Sequence, residues 1–395
     1  SARSWNSDPV PQLRHVATCL VVAIVGFFGT FPIVIQGLLA VGASPAQASA
    51  GLMASAMAMG LAAIALSLWF RMPVSVAWST PGAALLAVSA APQGGFPMAV
   101  GAFIVAGALT LAAGLVRPLG RAAAAIPASL AQAMLAGVLL PICLVPFATL
   151  PTLPAFIGPI IGAWVAGALM HRLAAVPVAL LMTGALTFLM GDISALDGAS
   201  LLTAPQWTTP EFSLTAAISI GVPLFIVTMA TQNVPGVAIL RSYGFTPPPA
   251  ALLSTVGAGS IIAAPFGVFS ICVAAITSAL CANEDSDPDP DRRYLSAVMG
   301  GVFYCVFGLG AGLLTAFAAA VPDLVFAALA GLAVLNVMAG ALRAALAADH
   351  GREAAVLTIA VTASGMTFAG IGAAVWGLLA GLLFYGLLSL RARLV

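Results

Sequence analysis

Residues 71–82, RMPVSVAWSTPG, interrupt an apolar run in a way that predicts a broken membrane helix. Its β-branched residues allow an extended stretch, and Ser79 or Thr80 can cap a helix that has Pro81 in its first turn. A second interruption, APFGVFS at residues 264–270, opens a matching span later in the chain. Such backbone is tolerated in a bilayer only beside protein or water. We therefore predict two half-helices whose positive N-terminal ends face one small anion.

The composition places most of the outer surface in hydrocarbon. Of the 395 residues, 62% are hydrophobic and only 6% are charged, with a mean hydropathy of +1.13. Soluble domains carry about 25% charged residues. A spanning helix takes about 20 apolar residues, so the chain has room for up to about 14 spans. The net charge of +1, without a basic stripe, argues against a nucleic-acid partner.

The arginines predict an orientation in the membrane. All 13 basic residues are arginine. The apolar runs give predicted spans at 16–41, 46–70, 73–91, 97–116, 126–147, 153–171, 174–190, 214–240, 247–263, 265–282, 294–320, 323–342, 354–370 and 371–390. With residues 1–15 as a cytoplasmic tail, every arginine falls on the cytoplasmic side, as the positive-inside rule requires. We expect an all-α polytopic protein of the bacterial cytoplasmic (inner) membrane, with both termini in the cytoplasm.

The span count divides into two halves of opposite orientation. Seven spans in residues 16–192 precede a polar extracytoplasmic linker, residues 193–213, and seven follow in residues 214–395. An odd number of spans per half is typical of an inverted repeat. Two local similarities between the halves agree with this. Gln36 in span 1 corresponds to Gln232 in span 8. The stretch GASP before span 2 likewise corresponds to GFTP before span 9.

Residues 228–236, TMATQNVPG, place amide side chains in the middle of span 8. Gln232 and Asn233 are costly at that depth without partners, and Pro235 frees a carbonyl one turn earlier. These side chains either line a transport path or hydrogen-bond a neighbouring helix, and the sequence leaves both interpretations open. The prolines of the two interruptions likewise either break their helices or only kink them.

The candidate site gathers polar, helix-breaking and aromatic residues from these segments. Trp78, Phe266 and Phe269 flank the interruptions and can stack on an aromatic substrate, although packing is the commoner role of such rings. The predicted substrate-binding residues are Gln36, Trp78, Ser79, Thr80, Pro81, Gly82, Thr231, Gln232, Asn233, Pro265, Phe266, Gly267, Phe269 and Ser270. The sequence contains no catalytic constellation, so an enzyme is not expected. No cofactor or metal site is predicted, and the acidic stretch 284–291 is interpreted as a solvated loop.

Three motifs resemble the bacterial benzoate/proton symporter family. They are RMP through AWSTPGAALL in residues 71–86, ATQNVPGV in residues 230–237, and APFG running on to AAIT in residues 264–277. The resemblance implies a fold similar to uracil and nucleobase transporters, with short extended segments leading into broken spans 3 and 10. It also implies a transport core of residues 16–120 and 214–320 beside a gate of residues 121–192 and 321–395. The implied substrate is benzoate or a related aromatic carboxylate, taken up with a proton by alternating access.

The resemblance leaves the proton route and the substrate open. The family often carries His and Asn in span 10 where this chain has Phe269 and Cys272, and uracil-type relatives carry a glutamate near Gln232. The proton therefore travels either on the substrate or by another route. A nucleobase or inorganic-anion carrier of the same fold is the alternative function, followed by a passive channel. A homodimer is the expected assembly if the chain is not a monomer.

Overall fold

The computed structural model of the chain describes residues 19–20, 23–24, 26–171, 174–190 and 202–394, and it is predominantly helical. Its α-helices are α1 (Phe31–Ala40), α2 (Pro45–Phe70), α3 (Thr80–Ala87), α4 (Phe96–Leu115), α5 (Arg117–Ala125), α6 (Ala128–Thr149), α7 (Pro154–Met170), α8 (Ala175–Met190), α9 (Leu214–Ser242), α10 (Pro249–Ala263), α11 (Ala275–Ala282), α12 (Tyr294–Leu309), α13 (Ala311–Ala320), α14 (Asp323–Leu346), α15 (Arg352–Ala363) and α16 (Ala373–Leu394). Two small sheets pair β1 (Val76–Trp78) with β2 (Ile271–Val273) and β3 (Thr367–Phe368) with β4 (Ile371–Gly372). The predicted tail, residues 1–15, and residues 193–201 of the predicted linker lie outside the described residues.

Seven of the described helices are long and apolar enough to cross a membrane, namely α2, α4, α6, α9, α10 with its following turn, α14 and α16. Helices α12 and α13 form an eighth candidate, bent by 54° at their junction. The other predicted spans correspond to the shorter helices α1, α7 and α8 and to the interrupted segments that contain α3, α11 and α15. The chain is therefore a polytopic helical membrane protein, while the count of fourteen crossings stays a prediction.

The two predicted interruptions meet as an antiparallel strand pair. Val76 lies opposite Val273, and Trp78 lies opposite Ile271. The pairing continues beyond the strands, because the amide of Ser79 donates to the carbonyl oxygen of Ser270 at 3.0 Å. The extended segments leading into the third and tenth predicted spans are thus present. They bring together parts of the chain that are almost 200 residues apart in sequence.

The boundaries of the second interruption differ from the prediction. Residues Ala264–Phe266 form a 3₁₀ turn that finishes α10, and Gly267 then takes left-handed backbone with φ of 92°. The second half-helix, α11, begins only at Ala275. Pro265 and Phe266 therefore end α10, and the extended segment that opens the tenth predicted span continues as far as Ala274. The physical reason is that the strand needs residues 271–273 for its pairing before a helix can begin.

Helices of the two halves pack in the pairs that a two-fold relation would produce. Helix α2, the second span of the first half, packs on α12, which belongs to the fourth span of the second half. Conversely, α10, the second span of the second half, packs on α4, the fourth span of the first half. Helix α6 packs along α14, and these are the fifth spans of the two halves. Gly42 and Gly244 both take left-handed backbone between consecutive helices, with φ of 97° and 86°. These pairings support the inverted repeat, which stays a prediction.

Helix α9 widens into π-helical turns at Ala217–Gly221 and Met229–Asn233. A Val-Pro pair follows each turn directly, and its proline is Pro223 in the first case and Pro235 in the second. Proline has no N–H and its ring displaces the carbonyl of the preceding turn, and a wider turn accommodates that displacement. The second π turn carries the amide side chains predicted to lie in this span.

The described part of the linker connects the ends of several helices. The amide of Thr208 donates to the carbonyl oxygen of Pro265 at 2.8 Å, and the amide of Glu211 donates to that of Pro97 at 3.0 Å. The side chain of Gln47 adds a hydrogen bond to the Thr208 hydroxyl at 3.0 Å. The linker is therefore packed against α2, α4 and α10 rather than free in solvent.

The acidic loop between α11 and α12 is more buried than predicted. Asp287 is 1% exposed and Arg293 is 5% exposed. The Arg293 guanidinium donates to the carbonyl oxygens of Asp287 at 2.7 Å and Ala282 at 2.8 Å. The interpretation of residues 284–291 as a solvated loop was therefore wrong at Asp287, because the hydrogen bonds from Arg293 offset the cost of burying polar backbone there.

Candidate functional site

The edges of the β1–β2 pair are covered by side chains from neighbouring helices. In an antiparallel pair, alternate amides point away from the partner strand. Two of these outward amides belong to Val273 and Ile271, which donate to the Asn233 side-chain oxygen at 2.9 Å and to the Ser260 hydroxyl at 3.0 Å. A bilayer offers no water to satisfy such groups, so these side chains make an extended segment at this depth possible. Asn233 therefore positions β2, and it is fully buried.

Helix α3 begins with a side-chain cap, as the sequence predicts. Of the two predicted capping candidates, the structure selects Ser79, whose hydroxyl accepts from the Gly82 amide at 3.0 Å. The same hydroxyl lies 2.7 Å from the hydroxyl of Thr228 in α9. Thr80 is then the first helical residue and Pro81 the second, where a missing N–H costs nothing. The first half-helix is thereby fixed to the middle of α9.

Helix α11 begins differently, because its N-cap is Ala274 and no side chain caps it. The Ala274 amide donates to the carbonyl oxygen of Ser75 at 3.0 Å, which continues the strand pairing up to the helix. The hydroxyls of Ser75 and Thr277 are 2.7 Å apart. Helix N-termini carry unpaired amides and a partial positive charge. Since β1 and β2 are antiparallel, the two half-helices leave opposite ends of the pair in opposite directions, and their N-termini face each other across it.

Two helices approach the interrupted segments closely because a glycine lies at each contact. A Cβ added to Gly37 in α1 would lie 2.6 Å from the carbonyl oxygen of Ala83 in α3. A Cβ added to Gly236 in α9 would lie 2.6 Å from the carbonyl oxygen of Val273 in β2. Larger residues at these positions would push α1 and α9 away from the half-helices. The predicted site segments of spans 1, 3, 8 and 10 are therefore brought together.

Three of the predicted site residues combine partial exposure with unused hydrogen-bonding capacity. Gln36 of α1, Thr80 of α3 and Gln232 of the second π turn are each half-buried. Within the part of the chain that the structure describes, their side chains make no hydrogen bond to protein. A polar side chain deep in a membrane protein needs a partner from water or a ligand. These residues are the strongest candidates for direct substrate contact.

The predicted aromatic residues occupy packed positions. Trp78 is 2% exposed, and its indole N–H donates to the Thr30 hydroxyl at 2.9 Å. Phe269 is fully buried, with its ring centroid 6.3 Å from that of Phe103. Phe266 contacts Trp207, with centroids 5.3 Å apart, and lines an apolar groove of about 810 Å³ between α2 and α10. Stacking of these rings on a substrate stays a prediction, and packing accounts for their positions.

The other predicted polar residues take backbone-supporting roles. The Thr231 hydroxyl donates to the carbonyl oxygen of Val227 at 2.6 Å, one turn back along α9. Ser270 is 5% exposed, and its carbonyl oxygen accepts the strand-pairing bond from Ser79. Both residues therefore lie beside the site and stabilise the backbone that forms it.

Two cavities lie near the opposite ends of α9. One, of about 350 Å³, lies between α3 and α6 and is bordered by Ile220 and Thr362 among others. The other, of about 530 Å³, reaches Asn233 and is lined by Arg117, Arg121 and Arg241. The layer formed by the strand pair and the second π turn contacts α6, which also borders the first cavity. The second cavity thus reaches the segment that carries Gln232 and Asn233 directly, whereas the first is connected to it only through α6.

The family model described as benzoate membrane transport protein matches residues 10–387. The chain belongs to the benzoate membrane transport family. It is 39% identical over 387 residues to the inner membrane protein YdcO of Escherichia coli (strain K12), covering 98% of both chains. It is 31% identical over 325 residues to a benzoate membrane transport protein of Acinetobacter baylyi, covering 82% of both. The resemblance inferred from the sequence motifs is therefore confirmed at the level of the family.

Two solved structures share the fold of this benzoate-transport family member. The transmembrane domain of the cyanobacterial bicarbonate transporter BicA has a TM-score of 0.56 and 17% identity, covering 94% of this chain and 98% of that one. SLC26A9 has a TM-score of 0.60 and 13% identity, covering 95% of this chain and 66% of that one. At such identities the likeness concerns the fold alone. The expected similarity to uracil transporters is not supported by these comparisons.

Several residues of the site in this family member were missed by reasoning from sequence. They are the partners of predicted residues, namely Thr30, Met59 and Ser260. A fourth partner, Thr228, begins the stretch 228–236 noted in the sequence, but it was not predicted as a site residue. Each is a polar or sulfur-containing side chain within an apolar run, which is a signal that the sequence does contain. Such side chains also bond their own helix commonly, as Ser260 does to Val256, so the signal alone does not identify a long-range partner.

Proposed function

We propose that this protein imports benzoate or a related aromatic carboxylate across the inner membrane as a secondary active transporter. The observation that supports this most strongly is that the α3 and α11 N-termini face each other across the strand pair. The half-buried Gln36, Thr80 and Gln232 lie on α3 and on the helices that contact these segments. Two helix ends supply a total of about one positive charge, which balances one carboxylate. The name of the Acinetobacter relative indicates benzoate as the ligand to test first.

The proposed binding mode divides the substrate between polar and apolar contacts. The carboxylate accepts hydrogen bonds from the free amides of the α11 first turn and from the side chains of Thr80 and Gln232. The ring lies against small apolar side chains at the border with α6. A hydrogen bond to a charged group contributes about 1.5–3 kcal/mol, so removing one of these donors weakens binding roughly 10- to 100-fold.

The proposed transport motion is rocking of core against gate. In this scheme residues 16–120 and 214–320 form the core, and residues 121–192 and 321–395 form the gate with both termini cytoplasmic. The contacts of α6 with α3 and the second π turn, and of α14 with α1, are the surfaces that slide. The proton accompanies the substrate as the neutral acid or takes another route, and a homodimer is tested by molecular mass in detergent.

A bicarbonate or other inorganic-anion carrier is the second candidate. It is favoured by the shared fold with the BicA transmembrane domain and by the buried packing of Trp78 and Phe269, which leaves those rings occupied. Helix N-termini bind any small monovalent anion, so the site chemistry fits this candidate as well. Recognition of the ring is what separates the two functions.

Uptake into proteoliposomes tests the proposal. Radiolabelled benzoate should accumulate against its gradient, and an uncoupler should abolish the accumulation. Unlabelled substituted benzoates should compete, whereas sulfate, uracil and bicarbonate should not. Thr80→Val and Gln232→Ala should lower uptake without changing thermal stability, whereas the matched control Thr187→Val in α8 should transport normally. Competition by bicarbonate alone would support the second candidate, and normal uptake by both site variants would refute the site assignment.

A further inference from the structure

The cavity of about 530 Å³ lies outside the proposed substrate site and has a chemistry of its own. It is enclosed by the ends of α4 and α9, the start of α10, and the short helix α5. Helix α5 folds back closely on α4, and a glycine is needed at the contact. A Cβ added to Gly120 would lie 2.6 Å from the carbonyl oxygen of Ala113. Apart from Asn233 and the arginines described below, the walls of the cavity are small or apolar, including Val237, Ala250 and Leu253. The space therefore suits a ligand with an apolar part.

Three arginines give this cavity its charge. Arg117 and Arg121 are four residues apart on α5 and so lie on one face of that helix, and Arg241 lies in the last turn of α9. All three are exposed, and among the described residues none of them pairs with a carboxylate. A cavity with about three uncompensated positive charges and apolar walls attracts an amphiphilic anion. Basic pockets at the cytoplasmic ends of membrane helices are typical sites for anionic lipid headgroups.

We propose that this cavity binds the phosphate-bearing headgroup of an anionic phospholipid from the cytoplasmic leaflet. The phosphate lies among Arg117, Arg121 and Arg241, and an acyl chain extends along the apolar wall toward the bilayer. Arginine suits this role because its planar guanidinium binds phosphate oxygens in pairs. A free phosphate ion would use the same arginines but not the apolar wall, so the two sources can be separated.

The lipid site is connected to the proposed transport site. Helix α5 links α4 to α6 and packs against the second π turn, which carries Gln232 and Asn233. Asn233 itself borders the cavity and holds β2 through the Val273 amide. A bound headgroup fixes α5 against this turn. Lipid binding therefore stabilises the arrangement of the half-helices, and the binding itself is measurable without any transport assay.

Lipid retention by the purified full-length chain tests the proposal. Native mass spectrometry and thermal unfolding in detergent are compared with phosphatidylglycerol, phosphatidylcholine or inorganic phosphate added. The wild type should retain phosphatidylglycerol and unfold at a higher temperature with it than with the other two. Each arginine near a membrane surface contributes roughly fivefold in affinity. The triple variant Arg117→Gln, Arg121→Gln and Arg241→Gln should therefore bind phosphatidylglycerol on the order of 100-fold more weakly.

Two further variants separate a defined site from diffuse attraction. The control Arg343→Gln, Arg352→Gln and Arg391→Gln removes the same charge from arginines that do not line the cavity, and it should retain the lipid. Ala238→Trp fills the cavity while keeping all three arginines, and it should lose the lipid. The proposal is overturned if the control triple variant loses as much lipid as the cavity variant. It is also overturned if Ala238→Trp binds normally, or if inorganic phosphate stabilises the protein as well as phosphatidylglycerol does.

Discussion

Replacing Asn233 with alanine should reveal that two adjacent amide residues have different roles. In the wild type the Asn233 side-chain oxygen accepts from the Val273 amide at 2.9 Å, and Asn233 is fully buried. The alanine variant leaves that amide without a partner in the dry interior, which costs about 1–3 kcal/mol. The corresponding fall in the unfolding temperature is on the order of 2–6 °C. Uptake should fall too, because β2 loses a contact that fixes its position.

The neighbouring Gln232→Ala variant is the matched control for this prediction. Gln232 is half-buried and makes no hydrogen bond to protein within the described residues, so its removal should leave the unfolding temperature within about 1 °C. Ser260→Ala, which removes the acceptor for the Ile271 amide, should behave like Asn233→Ala. Thermal unfolding in detergent and uptake into proteoliposomes measure both effects. Equal unfolding temperatures for the Asn233 and Gln232 variants would refute this division of roles.

Three further substitutions test other contacts of the site and its surroundings. Ser79→Ala removes the α3 cap and should lower stability by about 1 kcal/mol and weaken substrate binding; unchanged uptake would contradict the placement of α3 at the site. Gly236→Val places side-chain atoms against the Val273 carbonyl and should abolish uptake while membrane insertion persists in a fractionation assay. Arg293→Met leaves two buried carbonyl oxygens without their donor and should lower the unfolding temperature, whereas the exposed Arg343→Met should not.

The sequence could predict the two interruptions because their signals are local. Proline, serine and β-branched residues in residues 71–82 specify an extended stretch followed by a capped helix, and the structure shows that arrangement. The start of α11 could not be placed in the same way. It depends on how many residues β2 uses for pairing, and its partner strand lies almost 200 residues away. Register between such distant segments is decided by packing that no local pattern reports.

Local sequence signals likewise proposed candidate side chains for the site, but they could not assign a role to each one. The sequence proposed Gln232 because an amide inside an apolar span needs a partner. It proposed Gln36 because that residue corresponds to Gln232 in the other half, and Thr80 because it can cap α3. The sequence could not distinguish Gln232 from Asn233, since the difference lies in which one faces β2. For Trp78 the deciding contact is Thr30, 48 residues earlier in the chain. An aromatic residue beside a break has the same appearance in sequence whether its ring lines a cavity or packs in a core.

The charge balance of the proposed site restricts the anions that it can accept. Residues 26–40, 72–88, 216–240 and 255–283 contain no Asp, Glu, His, Lys or Arg. Compensation therefore comes from two helix ends of about half a charge each and from neutral side chains. A monovalent carboxylate is balanced, whereas a divalent anion would keep about one uncompensated charge in a site of low polarity, at a cost of several kcal/mol. Selection of monovalent over divalent anions thus follows from the backbone arrangement itself, while selection among monovalent anions depends on the apolar surface that meets the ring.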